Sequence, residues 1–306
     1  MKKVLLTGAT GYIGQFAVRH LLDKNYVVHA VTSKPFDKTP TENLIWHRAD
    51  LLKADDVKDL MEKVCPTHLL HFAWYVEHGK FWNAVENLDW LQAGLFLARQ
   101  FAECGGERIV TAGTCAEYAW TQTGALTEGK TPMQPQTLYG AAKYALYLAL
   151  EKFADVSGVS FSGGKVFFLF GADESPNRLV PSVIRALLKN EPAKTSHGEQ
   201  IRDFMFVEDV AEAFVMLLES DVRGVINIAS GRKTKLREII ETLGEITGKP
   251  ELLQIGALVS NENEPPEIVA DITRLTEEVK FNKDFDLRVK LKETVDYWKK
   301  VYEIND

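Results

Sequence analysis

The sequence predicts an α/β fold: a doubly wound parallel sheet with a smaller α/β lobe formed by the C-terminal half. Three observations predict it. Short apolar strand segments alternate with helical segments through the first half of the chain. The first apolar run passes directly into a glycine-rich turn and then a helix. Beyond residue 170 the texture changes, with longer polar connections and fewer strands.

The first strand, 3–7, is built on Val4-Leu5-Leu6, and Thr7-Gly8-Ala9-Thr10-Gly11-Tyr12-Ile13-Gly14 follows it. Ile13, Ala17, Val18 and Leu21 then recur at helical spacing, the apolar side of a helix near 12–23. Strand, glycine turn and helix in that order are the context of a dinucleotide-binding loop. Glycines permit a tight turn and close approach to a pyrophosphate, and the helix N-terminus offers amide dipoles to an anion. Gly8, Gly11, Tyr12, Ile13 and Gly14 are therefore candidate cofactor-binding residues. Further strands are expected at 26–32, 44–48, 68–73, 107–112 and 162–169, with helices near 55–63, 84–104 and 139–156. Segments 27–31 and 69–73 are nearly continuous apolar runs, as parallel strands covered on both faces require.

Residues 172–177 are polar and contain Pro176. A helix near 180–188 follows, then a mostly polar stretch that leads into Arg202-Asp203-Phe204. A helix near 208–219, a strand at 225–228, a helix near 235–247, a loop at 261–267 and a helix ending in Trp298 complete the chain. The expected organisation is a dinucleotide-binding domain over 1–165 and a mainly substrate-binding lobe over 166–306. Part of 204–230 is expected to return to the first domain.

Hydrophobic residues at 45% and charged residues at 26% describe a soluble globular chain, and a net charge of −7 argues against a nucleic-acid surface. Cys65, Cys104 and Cys115 show no metal spacing, and their odd number builds no disulfide framework. A reducing cytoplasm is the simplest location. The apolar run after Met1-Lys2-Lys3 stops at Thr7-Gly8, too short for a signal-peptide core, and no run reaches membrane-spanning length. Neither a metal site nor a membrane partner is expected.

Tyr139 and Lys143 stand four apart at the start of the helix near 139–156, on one face. An ammonium beside a phenol favours the phenolate. Tyr139 is thus a candidate to exchange a proton with a substrate oxygen near neutral pH.

Several motifs now stand in a telling order. They are Thr7-Gly8-x-x-Gly11-x-x-Gly14, Asp50-Leu51, His71-Phe72-Ala73, Thr114 through Tyr118, Tyr139 to Lys143, and Arg202-Asp203-Phe204-x-x-Val207-x-Asp209-Val210. With these the chain resembles, over nearly its whole length, the extended short-chain dehydrogenase/reductase family, particularly its nucleotide-sugar-modifying branch. The resemblance implies a Rossmann domain and a catalytic hydroxyl at Thr114, four residues before Tyr118, with Thr111 as runner-up. A threonine there also caps turns. It implies that Lys143 binds ribose and sustains Tyr139 as the proton-transfer residue. It places Asp50 and Leu51 beside the adenine, and Phe72 and Ala73 along the cofactor with the Ala73 backbone against the ribose. Tyr147, on the same helical face, reads as packing.

An acidic residue at the end of the second strand binds the NAD ribose and repels the 2′-phosphate of NADP. Here Thr32-Ser33-Lys34 stands at that point, two hydroxyls and an ammonium without a carboxylate. NADP(H) is the expected cofactor, with NAD(H) the second choice.

Departures from the family pattern narrow the reaction. Many dehydratases of the branch carry an acidic pair directly after the catalytic threonine; this chain has Cys115-Ala116, with Glu117 one position nearer the tyrosine. Epimerase-reductases use a cysteine two residues before the loop tyrosine and a downstream histidine. Ala116 holds that position here, Cys115 reads as a buried structural thiol, and 171–177 contains no histidine. Hydride transfer alone remains. The expected function is an NADPH-dependent 4-ketoreductase of a nucleotide-activated 4-keto-6-deoxy sugar, in deoxysugar biosynthesis. The alternative enzyme is an NAD-dependent nucleotide-sugar 4-epimerase. The alternative of another class is a catalytically inactive dinucleotide-sensing regulator, against which the retained Tyr139 and Lys143 count.

On the substrate side the resemblance implies that Arg202 grips the diphosphate, for which a guanidinium fork is suited, and that Arg178 and Leu179 line the pocket. The competing role for Arg202 is a salt bridge to Asp203 or Glu199. Phe168 stands where many relatives have an asparagine, and Asn261-Glu262-Asn263-Glu264-Pro265-Pro266 lacks their late-loop arginine. The base and the sugar stay open. The helices near 84–104 and 139–156 are apolar on more than one face, through Leu88, Leu91, Leu95, Phe96, Leu146, Leu148 and Leu150. In the family they form a dimer bundle, so a homodimer is expected.

Overall fold

The computed structural model describes residues 2–36, 40–120, 124–259, 264–284 and 286–303. The first half alternates β1 (Lys3–Thr7), α1 (Gly14–Asp23), β2 (Val27–Thr32), β3 (Leu44–Arg48), α2 (Ala54–Val64), β4 (His68–His71), α3 (Glu86–Glu103), β5 (Arg108–Thr114), α4 (Leu138–Ser157) and β6 (Ser160–Val166). Then come β7 (Phe168–Phe170), α5 (Leu179–Leu188), β8 (Ala193–Thr195), β9 (Ile201–Arg202), β10 (Phe204–Phe206), α6 (Val207–Glu219) and β11 (Gly224–Ile228). The chain closes with β12 (Thr234–Lys235), α7 (Leu236–Thr247), β13 (Leu253–Ile255), β14 (Glu267–Ile268), α8 (Thr273–Glu277) and α9 (Leu287–Val301).

Seven strands form one parallel sheet in the order β11-β6-β5-β4-β1-β2-β3. Successive strands run outward from β1 to β3, then resume on the other side of β1 with β4. That reversal opens a crevice at the C-terminal ends of β1 and β4, where Rossmann sheets hold their ligands. Alternation along β1 feeds both faces. Val4 and Leu6 pack with Ala17, Leu21 and Phe214 under α1 and α6, whereas Leu5 packs with Leu69, Leu97 and Leu146 under α3 and α4. A third core joins α5, α7 and α9 through Ile184, Leu187, Ile239, Leu291 and Trp298. Among the described residues no helix is long and apolar enough to cross a membrane.

Three boundaries differ from expectation. The expected strand 162–169 is two strands: β6 completes its place in the main sheet at Val166, and β7 pairs with β10 in a separate two-stranded sheet. Phe167, between them, turns into a cluster with Cys115 and Tyr118. β5 runs on to Thr114, and α1 begins at Gly14, leaving Tyr12 and Ile13 to the turn. Asn261, Glu262 and Asn263 of the late loop lie outside the described residues.

Candidate active site

The glycine turn is shaped by close approach. Gly8 has φ +68°, and a Cβ on it would stand 2.8 Å from the Ala73 nitrogen; a Cβ on Gly14 would stand 2.1 Å from the Gly8 oxygen. Gly11 N–H donates to the Gly8 carbonyl at 2.8 Å. The Ala73 N–H donates to Thr7 Oγ1 at 3.3 Å, so the threonine proton is free for His71 Nδ1, 2.7 Å away. Burial, aided by Lys143, holds the His71 pKa down to about 3, which keeps the ring neutral. α1 has no side-chain N-cap and no acidic residue in its first turn, so no local carboxylate opposes an anion at its N-terminus. This cradle, which side chains at Gly8 and Gly14 would fill, fits a dinucleotide pyrophosphate.

At the end of β2, buried Thr32 places Oγ1 3.1 Å from Thr10 Oγ1 and accepts from Lys34 N at 3.2 Å. Ser33 and Lys34 are exposed. The register of β2 with β3 sets Arg48 opposite Thr32. Arg48 is a second cation that sequence spacing missed, because only strand pairing brings it there. Among the described residues, neither Lys34 nor Arg48 has an ion-pair partner. Asp50 accepts from Leu52 N at 3.1 Å and so shapes its own turn, while Leu51 is buried. Phe72 packs edge-on against Phe214, with ring centres 4.9 Å apart.

The candidate catalytic groups come from two segments brought together by a cap. Thr137 accepts from Gly140 N at 3.1 Å and starts α4, which sets Tyr139 in its first turn and Lys143 one turn on. A Cβ on Gly140 would stand 2.4 Å from the Ala116 oxygen, so the helix seats directly on the turn after β5. Thr114 ends β5 and caps that turn, accepting from Ala116 N at 3.2 Å. Its side chain lies near enough to the Tyr139 phenol to lower that group's pKa. Thr111 is buried within β5, paired with His71 and Gly163.

Lys143 does not acidify Tyr139 as its spacing suggests. Burial, reinforced by the Glu117 carboxylate and opposed by the nearby Thr114 side chain, holds the phenol well above its usual value. Burial also pulls the Lys143 pKa down to about 7, against the raising effect of Glu117. Desolvation outweighs charge at both groups. Lys143 Nζ donates to the Ala112 carbonyl at 2.7 Å.

Glu117 and Lys165, both fully buried, form an ion pair beneath this turn. Glu117 Oε1 also accepts from Thr114 N at 2.8 Å. A Cβ on Gly113 would come within 2.6 Å of that same oxygen. Glu117 is therefore committed to structure. Burial pushes the Cys115 thiol up to about 12, so it offers no thiolate. Tyr147 is buried and packs against Phe161, with ring centres 5.6 Å apart.

Arg178 is the N-cap residue of α5, and Leu179 begins that helix. The Arg178 charge acts on the Tyr139 phenol and lowers its pKa slightly. Among the described residues it has no ion-pair partner. Arg202 is 2% exposed on β9, where Nη2 pairs with Glu264 Oε1 at 2.6 Å and Nη1 donates to the Ile201 carbonyl at 2.8 Å. Its partner is thus neither Asp203 nor Glu199. Asp203 accepts from Ser230, Gly231 and Ala270, and Glu199 pairs with Lys235. Phe168 lies under the Arg202 guanidinium, 5.4 Å from its ring centre. Phe81 and Trp82 meet the Tyr139 ring edge-on at 4.8 and 5.9 Å.

Residues 4–229 match the model of the NAD dependent epimerase/dehydratase family. The chain belongs to that family. This epimerase/dehydratase-family protein is 26% identical over 277 residues to UDP-glucose 4-epimerase of Corynebacterium glutamicum, covering 81% of each chain. It is 27% identical over 244 residues to dTDP-6-deoxy-L-talose 4-dehydrogenase (NAD(+)) of Aggregatibacter actinomycetemcomitans, covering 78% of this chain and 88% of the relative. In fold it matches the UDP-glucose 4-epimerase of Thermotoga maritima solved with UDP-glucose, with a TM-score of 0.87 at 22% identity over 98% of this chain and 99% of that one. It matches the Thermus thermophilus UDP-glucose 4-epimerase solved with NAD at a TM-score of 0.83 and 24% identity, over 97% of this chain and 99% of that one.

Proposed function

We propose that this protein is an NADPH-dependent 4-ketoreductase of a nucleotide-diphosphate 4-keto-6-deoxy sugar. The observation that carries this reading is the end of β2, where Thr32, Ser33 and Lys34 stand with Arg48 opposite and supply no carboxylate. A net reductase exchanges its cofactor at each turnover, whereas a 4-epimerase retains and regenerates it. The acid–base inventory agrees: Glu117 is held in an ion pair and Cys115 is a thiol, so the turn offers no second acid or base for dehydration. A relative named as a 4-dehydrogenase of a 6-deoxy sugar nucleotide supports redox chemistry at C4.

Bound in the glycine cradle, the dinucleotide would supply hydride to C4. Tyr139, held protonated by burial, donates its phenolic proton to the C4 oxygen. Thr114 hydrogen-bonds that oxygen, and Lys143 reaches the ribose. Asp50 and Leu51 flank the adenine, and Phe72 and Ala73 line the ribose. Arg178, with Leu179 beside it, and Arg202 supply cations to the diphosphate. Residues 1–165 serve mainly the dinucleotide and 166–306 mainly the sugar nucleotide. Leu88, Leu95 and Leu148, 53%, 37% and 41% exposed on α3 and α4, suit a second copy of the chain.

The second reading is an NAD-dependent 4-epimerase, favoured by the name of the Corynebacterium relative. One experiment separates them: turnover of 4-keto-6-deoxy sugar nucleotides and of UDP-glucose, with NADPH, NADH or no added cofactor, following absorbance and product stereochemistry. Stoichiometric NADPH consumption identifies the reductase. Turnover of UDP-glucose on tightly bound NAD identifies the epimerase. Equal efficiency with NADH overturns the NADPH preference, and near-native turnover by Tyr139→Phe overturns the mechanism.

A further inference from the structure

The connection between β7 and α5 has a strained backbone that turns one carboxyl inward. Asp173, a non-glycine residue, has φ +62°, in the left-handed region that L-residues rarely adopt. Its carboxylate accepts from the Tyr297 hydroxyl on α9, which anchors the strain from outside. The next residue, Glu174, faces the interior. It is 4% exposed, and its Oε2 has no hydrogen-bond partner among the described residues. It forms no ion pair there either.

Tyr12, from the glycine turn, is in the same condition: its hydroxyl is buried without a partner among the described residues. The Glu174 charge acts on the Tyr12 phenol, so the two groups are electrostatic neighbours. Arg178 ties both to the reaction centre, because its charge acts on Tyr12, Glu174 and Tyr139 alike. Two buried polar groups without partners thus lie within electrostatic reach of each other, one of them on the glycine turn, and share Arg178 with Tyr139. Folded proteins rarely leave buried polar groups unpaired, because desolvation is then uncompensated. Two such groups leave hydrogen-bonding capacity that the protein does not use.

The ligand chemistry follows from their protonation. Burial, opposed by Arg178, raises the Glu174 pKa to about 8. Below that pH the carboxyl is a neutral acid with a donor and an acceptor, and the Tyr12 hydroxyl offers the same combination. The groups around Glu174 that carry or change charge are Tyr12, Asp173 and Arg178.

We propose that Glu174 and Tyr12 clamp a neutral ligand group that both donates and accepts hydrogen bonds, a hydroxyl or a carboxamide. The clamp rests on reading the cleft as a dinucleotide and sugar-nucleotide site. A nicotinamide carboxamide and a sugar hydroxyl share this chemistry, and two measurements distinguish them. One is calorimetric titration of the enzyme with NADH and with NADPH without sugar. The other is KM for the sugar nucleotide at saturating cofactor.

Glu174→Leu and Tyr12→Phe are each expected to weaken one of these two readouts by about tenfold, while Glu174→Gln, still neutral with a donor and an acceptor, stays within about threefold. A loss confined to the titration assigns the carboxamide; a loss confined to KM assigns the hydroxyl. Wild-type affinity in the responding readout is expected to fall as pH rises above about 8, and that of Glu174→Gln to stay flat. Should Glu174→Leu fail to fold, Tyr12→Phe and the pH comparison carry the test. Wild-type values in both readouts for Tyr12→Phe, with no difference in pH response between wild type and Glu174→Gln, overturn the clamp. Failure to consume NADPH while affinity responds as described overturns the ketoreductase reading and leaves the clamp standing.

Discussion

Lys143 Nζ lies 3.9 Å from the centre of the Trp74 ring. That ring is fixed in turn: Trp74 Nε1 donates to Asn87 Oδ1 at 2.8 Å, and the Asn87 amide donates to the carbonyls of Phe81 and Ala84 at 2.7 and 2.9 Å. A ring face beneath an ammonium favours the charged form and so opposes the burial that brings Lys143 to about 7. If the ammonium grips the ribose, kcat/KM declines as pH rises through this pKa. Trp74→Leu is expected to move that decline to lower pH by about half a unit to one and a half units, and Trp74→Phe to restore most of it. The pH profile of kcat/KM is the measurement; an unmoved limb in Trp74→Leu counts against the ring.

Glu117 and Lys165 share one fully buried ion pair, so removing either partner strands the other charge. Glu117→Gln is expected to cost about 3–5 kcal/mol of stability in urea denaturation. The double variant Glu117→Leu, Lys165→Met is expected to recover most of that, because an apolar replacement of both partners avoids the stranded charge. A double variant as unstable as the single one would show that the turn depends on the Glu117 bond to Thr114 N itself.

Glu264 occupies Arg202, the guanidinium expected to meet the diphosphate. Arg202→Leu is expected to raise KM for the sugar nucleotide by about 10- to 100-fold with little change in kcat, the signature of a lost charged hydrogen bond remote from the reacting carbon. Glu264→Gln, which removes the competing charge, is expected to lower KM. Steady-state kinetics at saturating cofactor distinguish these outcomes from a purely structural pair, for which both variants would change stability and leave KM unmoved.

Glu174 also sets a pH dependence of folding. Its native pKa, raised by burial to about 8, lies above its ordinary value, so the native state binds more protons than the unfolded chain up to that pH. The stabilisation is complete below the ordinary carboxylate range and is lost as pH rises through 8. Lys143 acts oppositely: its depressed pKa makes stability rise with pH from about 7 toward the ordinary lysine value. Glu174→Gln is therefore expected to gain in melting temperature over the wild type progressively as pH approaches 8. A constant difference across that window would show that the carboxyl does not titrate there.

The layered sheet was legible in the sequence because strands covered on both faces are written as continuous apolar runs, as at 27–31 and 69–73. The glycine turn and the start of α4 were legible because local chemistry sets them. Contacts that depend on tertiary pairing left no such signal. Lys165 reads as an oddity within β6 until Glu117, 48 positions away, is brought under it. The Arg202 partner is 62 positions away, and Arg48 comes opposite Thr32 only through strand register. The break at Phe167 is invisible because Val166 to Phe170 is a continuous apolar run with no turn residue. Burial, which reverses the expected pKa relation of Tyr139 and Lys143, is likewise a property of the packed site rather than of a four-residue spacing.

The contact of Gly8 with Ala73 bears on how this site could be redesigned. Thr7 and Ala73 are 66 positions apart, yet the turn after β1 and the end of β4 are moulded to one another with no room for a methyl group between them. They are a single structural unit. A chimera that imports residues 7–14 from another family member would bring a loop cut to fit a different neighbour. Segment 71–73 would have to travel with it, and swaps confined to the glycine motif would fail at that seam before any cofactor preference could be read.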